Sequence, residues 1–403
     1  MTWQAKAREL DAADPLRAFA DRFRVPDPGL RYLDDASLGR PPAGTADALA
    51  RFVDRDWAGR LVQGWESWLD RPQRLGDRLG AGMLGAAPGQ VVYSDSVTVD
   101  LYKLAMAALR HSGRRAVITD DRNFATDRYV AQGIEAEGRA DLRTVEADPD
   151  RGVDIAALKA ALDESVAVVV LSLVDYRSGA LLDMARVNEL AHEAGALVLW
   201  DLSHATGAVP IALDAAGADL AVGCSYKYLC GGPGAPAFLY VRKDLQPRLR
   251  QPIWGWFGQR DQFAMGPAYD PVPGIERFLC GTPSILALAA VEPSLDLLLE
   301  AGIERVRDKN VLMTEFIIDL VAAYAPYLRL ASPRDAERRG AHVAFEHPEA
   351  RAIVAGLAAR NVIVDYLDPD RIRLAPGALS TSFEQVWDAV RLFPPSTQIR
   401  GST

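Results

Sequence analysis

Lys227 closes the run Gly223-Cys224-Ser225-Tyr226-Lys227, just after an apolar stretch (218–222, ADLAV) and just before the turn Gly231-Gly232-Pro233-Gly234. A lysine at the end of a buried strand, between hydroxyl side chains and a tight turn, is placed to react through its amine rather than to sit solvated. Two other polar signals fall at similar run ends. The stretch 196–200 (ALVLW) ends in Asp201 and is followed by LSHATGAVP, which carries His204. The stretch 91–93 (VVY) ends in Ser94-Asp95-Ser96-Val97-Thr98, ahead of the helical pattern LYKLAMAAL. Singly, each has an ordinary explanation: a turn-forming Asp, a helix N-cap, a tight glycine turn. Together they meet the needs of pyridoxal phosphate. That cofactor requires an amine to form a Schiff base and shuttle protons, and a carboxylate to keep the pyridine nitrogen protonated so that the ring can accept electrons. It also requires hydroxyls and backbone N–H groups at a helix N-terminus to hold the phosphate dianion. Lys227, Asp201 and the turn at 94–98 supply one of each.

The elements that must position these residues are legible in the middle of the chain. Runs at 116–119 (AVIT), 165–174 (SVAVVVLSLV), 196–200 and 218–222 read as buried strands, with helical patterns between them such as 183–194, closed by Gly195. Such alternation predicts an α/β fold whose mainly parallel sheet carries helices on both faces, with ligands beyond the carboxyl ends of the strands. From about residue 289 the pattern changes. Long helical stretches at 291–299 and 302–324 lead into alternating apolar segments at 342–345 and 362–366, which predicts a smaller α+β domain joined by the N-terminal helix and by 32–38. The expected division is 1–45, an N-terminal segment packing with the small domain; 46–288, the large cofactor domain; and 289–403, the small domain. A frayed tail is expected at 396–403.

Bulk properties narrow the class. A net charge of −9 argues against a nucleic-acid or anionic-membrane surface. No apolar run approaches a membrane span, and the N-terminus is polar and helical in pattern, without the apolar core of a signal peptide. The three cysteines, Cys224, Cys230 and Cys280, form neither a disulfide framework nor a metal-ligand spacing, so no metal and a cytoplasmic location are expected.

Several segments, in order, resemble those of kynureninases, within the fold type I, class V aminotransferase-like group. They are YLDDASLG (32–39), VVYSDSVTVDLYKL (91–104), NFATDRYVAQG (123–133), WDLSHATGAVP (200–210), GCSYKYLCGGPGAPAFLYV (223–241), GWFGQRDQF (255–263), FLCGTPSIL (278–286) and RIRLAPGALSTSFEQV (371–386). The resemblance covers about residues 30 to 390. It implies a large domain with a mainly parallel seven-stranded sheet and a smaller α+β C-terminal domain. It also implies roles. Lys227 would carry the cofactor; Asp201, assisted by Asp127, would pair with the pyridine nitrogen; Phe124 would stack on the ring; and His204 would lie at its O3′ side. Ser96, Val97 and Tyr226 would contact the phosphate, with Tyr226 also a proton donor in the cleavage. Trp256 and Thr282 would come from the second subunit of a homodimer with shared sites. Arg373 would bind the substrate α-carboxylate, with Ser37 and Trp65 in the substrate pocket. Trp65 with Thr282 resembles the bacterial pattern associated with kynurenine rather than its 3-hydroxy derivative. Without the resemblance, Arg373 reads as a surface arginine beside Asp370, Phe124 and Trp65 as packing, and His204 as a structural histidine.

The sequence departs from the family pattern at Ala36 and Cys230, each where Asn is usual, at Val97 in place of a second hydroxyl, at Asp175 where NY(R/K) begins with Asn, and at Gln259 in place of His. The implied reaction is hydrolytic cleavage of the Cβ–Cγ bond of L-kynurenine, or of a ring-modified kynurenine, to anthranilate and L-alanine. The alternatives are another class V reaction (C–S lyase, desulfurase or aminotransferase) and an inactive ligand-binding homologue.

Overall fold

The computed structural model describes residues 2–395; the tail expected at 396–403 lies outside them. Seven strands form the large sheet: β1 Val91–Tyr93, β2 Ala116–Asp120, β3 Asp141–Val145, β4 Val166–Ser172, β5 Leu197–Asp201, β6 Leu220–Gly223 and β7 Phe238–Val241, in the order β1-β7-β6-β5-β4-β2-β3. Only β7 runs antiparallel to its neighbours in this sheet. The apolar runs are continuous because both faces are covered. In β4, Val168 and Val170 enter one hydrophobic cluster, while Val169 and Leu171 enter the cluster on the other face. Strand β3 is partly exposed and β7 lies among the glycine-rich residues after Lys227; neither shows as a strand in the apolar pattern above.

The helices are bounded by the expected chemistry. Ser96 caps Val97–Ser112, its Oγ accepting the Val99 N–H, and Gly113 ends the helix at a φ of 68°. Asp183 caps Met184–Glu193, and Gly195 turns the chain into β5 at a φ of 73°. The helix Ile285–Ala301 buries Leu288, Val291, Leu295 and Leu298 in the large-sheet core, so the boundary expected at 289 falls inside an element that packs on the large sheet.

The next helix, Ile303–Tyr324, packs instead with a four-stranded antiparallel sheet of β8 Arg329–Leu330, β9 Val343–Glu346, β10 Asp365–Leu367 and β11 Arg371–Leu374, ordered β8-β9-β11-β10. The N-terminal helix Trp3–Ala13 joins this core: the Asp11 carboxylate accepts the N–H groups of Phe383 (2.8 Å) and Glu384 (3.0 Å) at the start of Phe383–Val390. Arg31 and Tyr32 pair in parallel with Val362 and Ile363. Residues 34–39 are thereby carried from the small sheet to the lysine loop, where Gly39 N–H donates to the Tyr226 carbonyl (2.9 Å). Gly39 has to be glycine, because a Cβ there would stand 2.3 Å from the Lys227 carbonyl oxygen and 2.5 Å from Cys230 Sγ. Among the described residues no helix is long and apolar enough to cross a membrane.

Candidate active site

Strand ends bring the polar residues together. Tyr93 and Gly223 are both in register with Phe238, so the segments after β1 and β6 leave the sheet on either side of β7 at the same edge. The first is the turn leading to Ser96 and Val97; the second leads to Tyr226 and Lys227. Asp201 ends β5, and its carboxylate accepts the Ser203 N–H (2.8 Å), which forms the turn that presents His204. Phe124 and Asp127 begin the helix Ala125–Ala136 after β2. This edge is where an α/β sheet gathers ligands.

Lys227 is 7% exposed, and its Nζ lies 3.0 Å from His204 Nε2 and 5.4 Å from the centre of the Phe124 ring. Burial draws the Lys227 amine below its ordinary range. His204 is also pulled well below the usual imidazole range, by burial and then by the charges of Lys227 and Arg373. A neutral His204 can therefore accept at Nε2, which faces Lys227 Nζ (3.0 Å) and Arg373 Nη1 (3.4 Å). Asp127 is fully buried with no hydrogen-bond donor on either carboxylate oxygen, and it faces Asp201. Burial, and then the charge of Asp201, push it well above the ordinary carboxylate range.

Arg373 is 3% exposed and forms the far wall. It pairs with Asp365 (2.6 Å) and Ser37 (2.8 Å), and donates to the Tyr176 carbonyl (2.8 Å), whereas Asp370 faces Arg177 and Arg371. The surface reading of Arg373 therefore fails. Three groups without an assigned role join the site. The Tyr176 ring packs edge-on against Phe124 (5.4 Å between centroids) and beside His204 (6.4 Å). His342, from β9's approach, is buried with both ring nitrogens unpartnered, 5.9 Å from His204. Asp365 is the third. Only Tyr176 had a sequence signal, as the tyrosine of the DYR segment.

Trp65, Trp256 and Thr282 stand apart. Trp65 packs on Trp68 (5.5 Å) and Trp256 (5.6 Å), and Thr282 is exposed. Among the described residues none of the three makes a hydrogen bond or ring contact with Lys227, Asp201 or Arg373.

The departures have local explanations. Ala36 is buried with Ala208, Tyr228, Ala341 and Ala375. Cys230 takes a left-handed φ of 54°, which Asn adopts more readily. Asp175 accepts the N–H groups of Arg177 (3.0 Å) and Ser178 (2.6 Å) and so shapes the turn that presents Tyr176. Gln259 Oε1 accepts the Asp270 N–H (2.7 Å), and Val97 is the first residue of its helix.

These residues fit pyridoxal phosphate. A buried amine lies over an aromatic face, a buried carboxyl pair includes Asp127 with oxygens that have no hydrogen-bond partner among the described residues, and an exposed helix N-terminus at Ser96 opens on the same edge. The fold and the site define a pyridoxal-phosphate-dependent enzyme of fold type I, class V. At the level of fold, the chain is similar to a cysteine desulfurase from Thermococcus onnurineus NA1 (TM-score 0.77, 15% identity, 95% of this chain and 96% of that one). It is likewise similar to the cystine C-S lyase C-DES bound to cysteine persulfide (TM-score 0.80, 19% identity, 91% and 98%). Residues 306–393 match the model of the kynureninase C-terminal domain. The chain is 42% identical to kynureninases from Burkholderia pseudomallei (97% of this chain, 94% of that one) and Pseudomonas fluorescens (97% and 95%). It belongs to the kynureninase family.

Proposed function

We propose that this enzyme hydrolyses the Cβ–Cγ bond of L-kynurenine, or of a ring-modified kynurenine, to anthranilate, or its derivative, and L-alanine. The observation that carries the reading is the buried Lys227–His204–Arg373 line, in which an amine and a carboxylate-binding guanidinium share one neutral imidazole (3.0 and 3.4 Å). Family membership selects the reaction.

Pyridoxal phosphate, held on Lys227, supplies an electron sink for negative charge developing beside the amino-bearing carbon. Asp201 would keep a proton on the pyridine nitrogen, Phe124 would pack against the ring, and the helix N-terminus at Ser96 and Val97 would hold the phosphate together with Tyr226. Arg373 and Ser37 hold the α-carboxylate. The lowered basicity of Lys227 favours its neutral amine, which takes the α-proton and returns it to the same carbon once the Cβ–Cγ bond has broken. Water adds to the γ-carbonyl; the Cβ–Cγ bond breaks, Cγ leaves as the carboxyl carbon of the aromatic product, and Cβ takes a proton. Burial raises the Tyr226 hydroxyl, so it retains the proton it donates there.

Trp256 and Thr282 are assigned to the site of a second copy in a homodimer, which fits their separation from Lys227 within one chain and the exposed Trp254, Phe263 and Met265 around them. Trp65 is assigned to the aryl end of the substrate. A cytoplasmic location fits the three free cysteines.

A desulfurase-type reaction needs a mobile, acidic thiol. Cys224 is buried with its Sγ 3.9 Å from the Ser203 carbonyl oxygen, and burial pushes Cys280 up to about 11. Neither suits that chemistry. The test is release of fluorescent anthranilate from L-kynurenine by the purified holoenzyme, abolished in Lys227→Ala. Turnover of cysteine-type substrates with kynurenine left intact would overturn the proposal.

A further inference from the structure

Arg373 is held from several sides by its own chain. It lies in β11 with its Cα in register with that of Asp365 in the antiparallel neighbour β10. That register sets Asp365 Oδ2 2.6 Å from Nη2, where Ser37 Oγ is the second acceptor at 2.8 Å. Nη1 donates to the Tyr176 carbonyl (2.8 Å) and lies 3.4 Å from His204 Nε2. Asp34 adds a second carboxylate 3.6 Å from Nη2. Nε is buried and has no partner.

The hydrogens of both terminal nitrogens are therefore directed at the chain, and the donor left unsatisfied among the described residues is the buried Nε. A carboxylate binds arginine most specifically through two parallel N–H groups. The edge that still offers one free donor is the Nε–Nη2 edge. Of the two groups on Nη2, Asp365 is tied to the strand register, whereas the Ser37 hydroxyl can rotate from accepting to donating. An arriving carboxylate thus meets a fixed Asp365 and an adaptable Ser37.

We propose that Asp365 is a positioning residue for substrate recognition: it clamps the guanidinium of Arg373 from the neighbouring strand, so that the Nε edge faces the α-carboxylate while Ser37 yields to it. This rests on the reading of Arg373 as the carboxylate-binding residue.

The test compares L-alanine with L-alaninamide, which lacks the carboxylate, as ligands of the holoenzyme, read from the change in cofactor absorption, alongside steady-state turnover of L-kynurenine. In Asp365→Ala, the Kd of L-alanine and the KM of L-kynurenine are expected to rise roughly tenfold, kcat to fall less than about threefold, and alaninamide binding to stay as in the wild type. Asp365→Asn, which keeps the shape and an acceptor for Nη2, is expected to lie between, and it carries the test if the alanine variant does not fold. Equal weakening of both ligands would mean a general structural role and overturn the proposal. Tighter alanine binding would make Asp365 a competitor and overturn it too. Failure of the underlying reading shows in the wild type alone, as no preference for alanine over alaninamide; failure of the Asp365 role shows only in the variants.

Discussion

The carboxyl groups of Asp127 and Asp201 face each other in the interior at the carboxyl edge of the large sheet, and neither oxygen of Asp127 has a hydrogen-bond partner among the described residues. Two adjoining buried carboxylates do not both ionise readily. Burial and then the charge of Asp201 push Asp127 toward its protonated form, from which it can donate to Asp201. Asp201→Asn is therefore expected to lower kcat by roughly 10²–10⁴, the scale of a lost acid–base partner. Asp127→Asn, which retains a donor toward Asp201, is expected to cost less than about tenfold. Anthranilate release measures both, and equal damage from the two variants would refute this division of protons.

A second buried carboxyl sets a pH dependence of stability. Burial, and then the charge of Asp175, raise Asp120 from 3.8 to about 7. Between those values the folded chain holds a proton that the unfolded chain has released, so stability falls as pH rises through the window and levels off above it. Asp120→Asn removes that slope while keeping the acceptor for the Arg122 N–H (2.9 Å). Denaturant unfolding should show no gain at about pH 4 and a gain of at most roughly 4 kcal/mol at about pH 8. Parallel pH profiles for variant and wild type would contradict the assignment.

The parts of the fold that show in the sequence are those whose signal is local. Continuous apolar runs such as 165–174 announce strands covered on both faces, and Asp183 with Gly195 brackets a helix. Lys227, Asp201 and the turn at Ser96 were legible because each follows such a run. Strand β3 was not, since its exposed edge position admits Asp141, Arg143 and Thr144 without an apolar pattern. Asp365 and His342 were invisible for a different reason. His342 matters only because the small sheet brings it beside His204, 138 positions away, and Asp365 only because the register of two antiparallel strands sets it opposite Arg373. Likewise the surface reading of Arg373 came from its sequence neighbour Asp370, while its real partner lies across a strand pair.

Arg373 and Lys cannot be exchanged at this site. The guanidinium reaches Asp365, Ser37 and the Tyr176 carbonyl at once, because its donors fan out in one plane. The compact ammonium of Arg373→Lys cannot hold all three and also present a fork to the substrate. Its KM for L-kynurenine is expected to rise by more than about tenfold, with cofactor content unchanged. A variant that lost cofactor instead would place Arg373 in cofactor binding.

Lys103 offers a stability test beneath the cofactor helix. Its side chain is wholly buried, 2.8 Å from Asp95 and 2.7 Å from the equally buried Asp100, and it also donates to Ser94 Oγ (2.8 Å) and the Phe278 carbonyl (2.8 Å). Removing one member of a buried ion cluster strands the other charges, at a cost of about 3–5 kcal/mol. Lys103→Met should therefore be strongly destabilised in denaturant unfolding. Adding Asp100→Asn should recover part of the loss, because the second change removes the stranded carboxylate. The cluster also ties the turn carrying Ser96 to the strand of chain leading to Thr282, so Lys103→Met should release cofactor faster than the wild type when diluted. An additive double variant with wild-type cofactor retention would show instead that Lys103 supports neither the charge balance nor the phosphate turn.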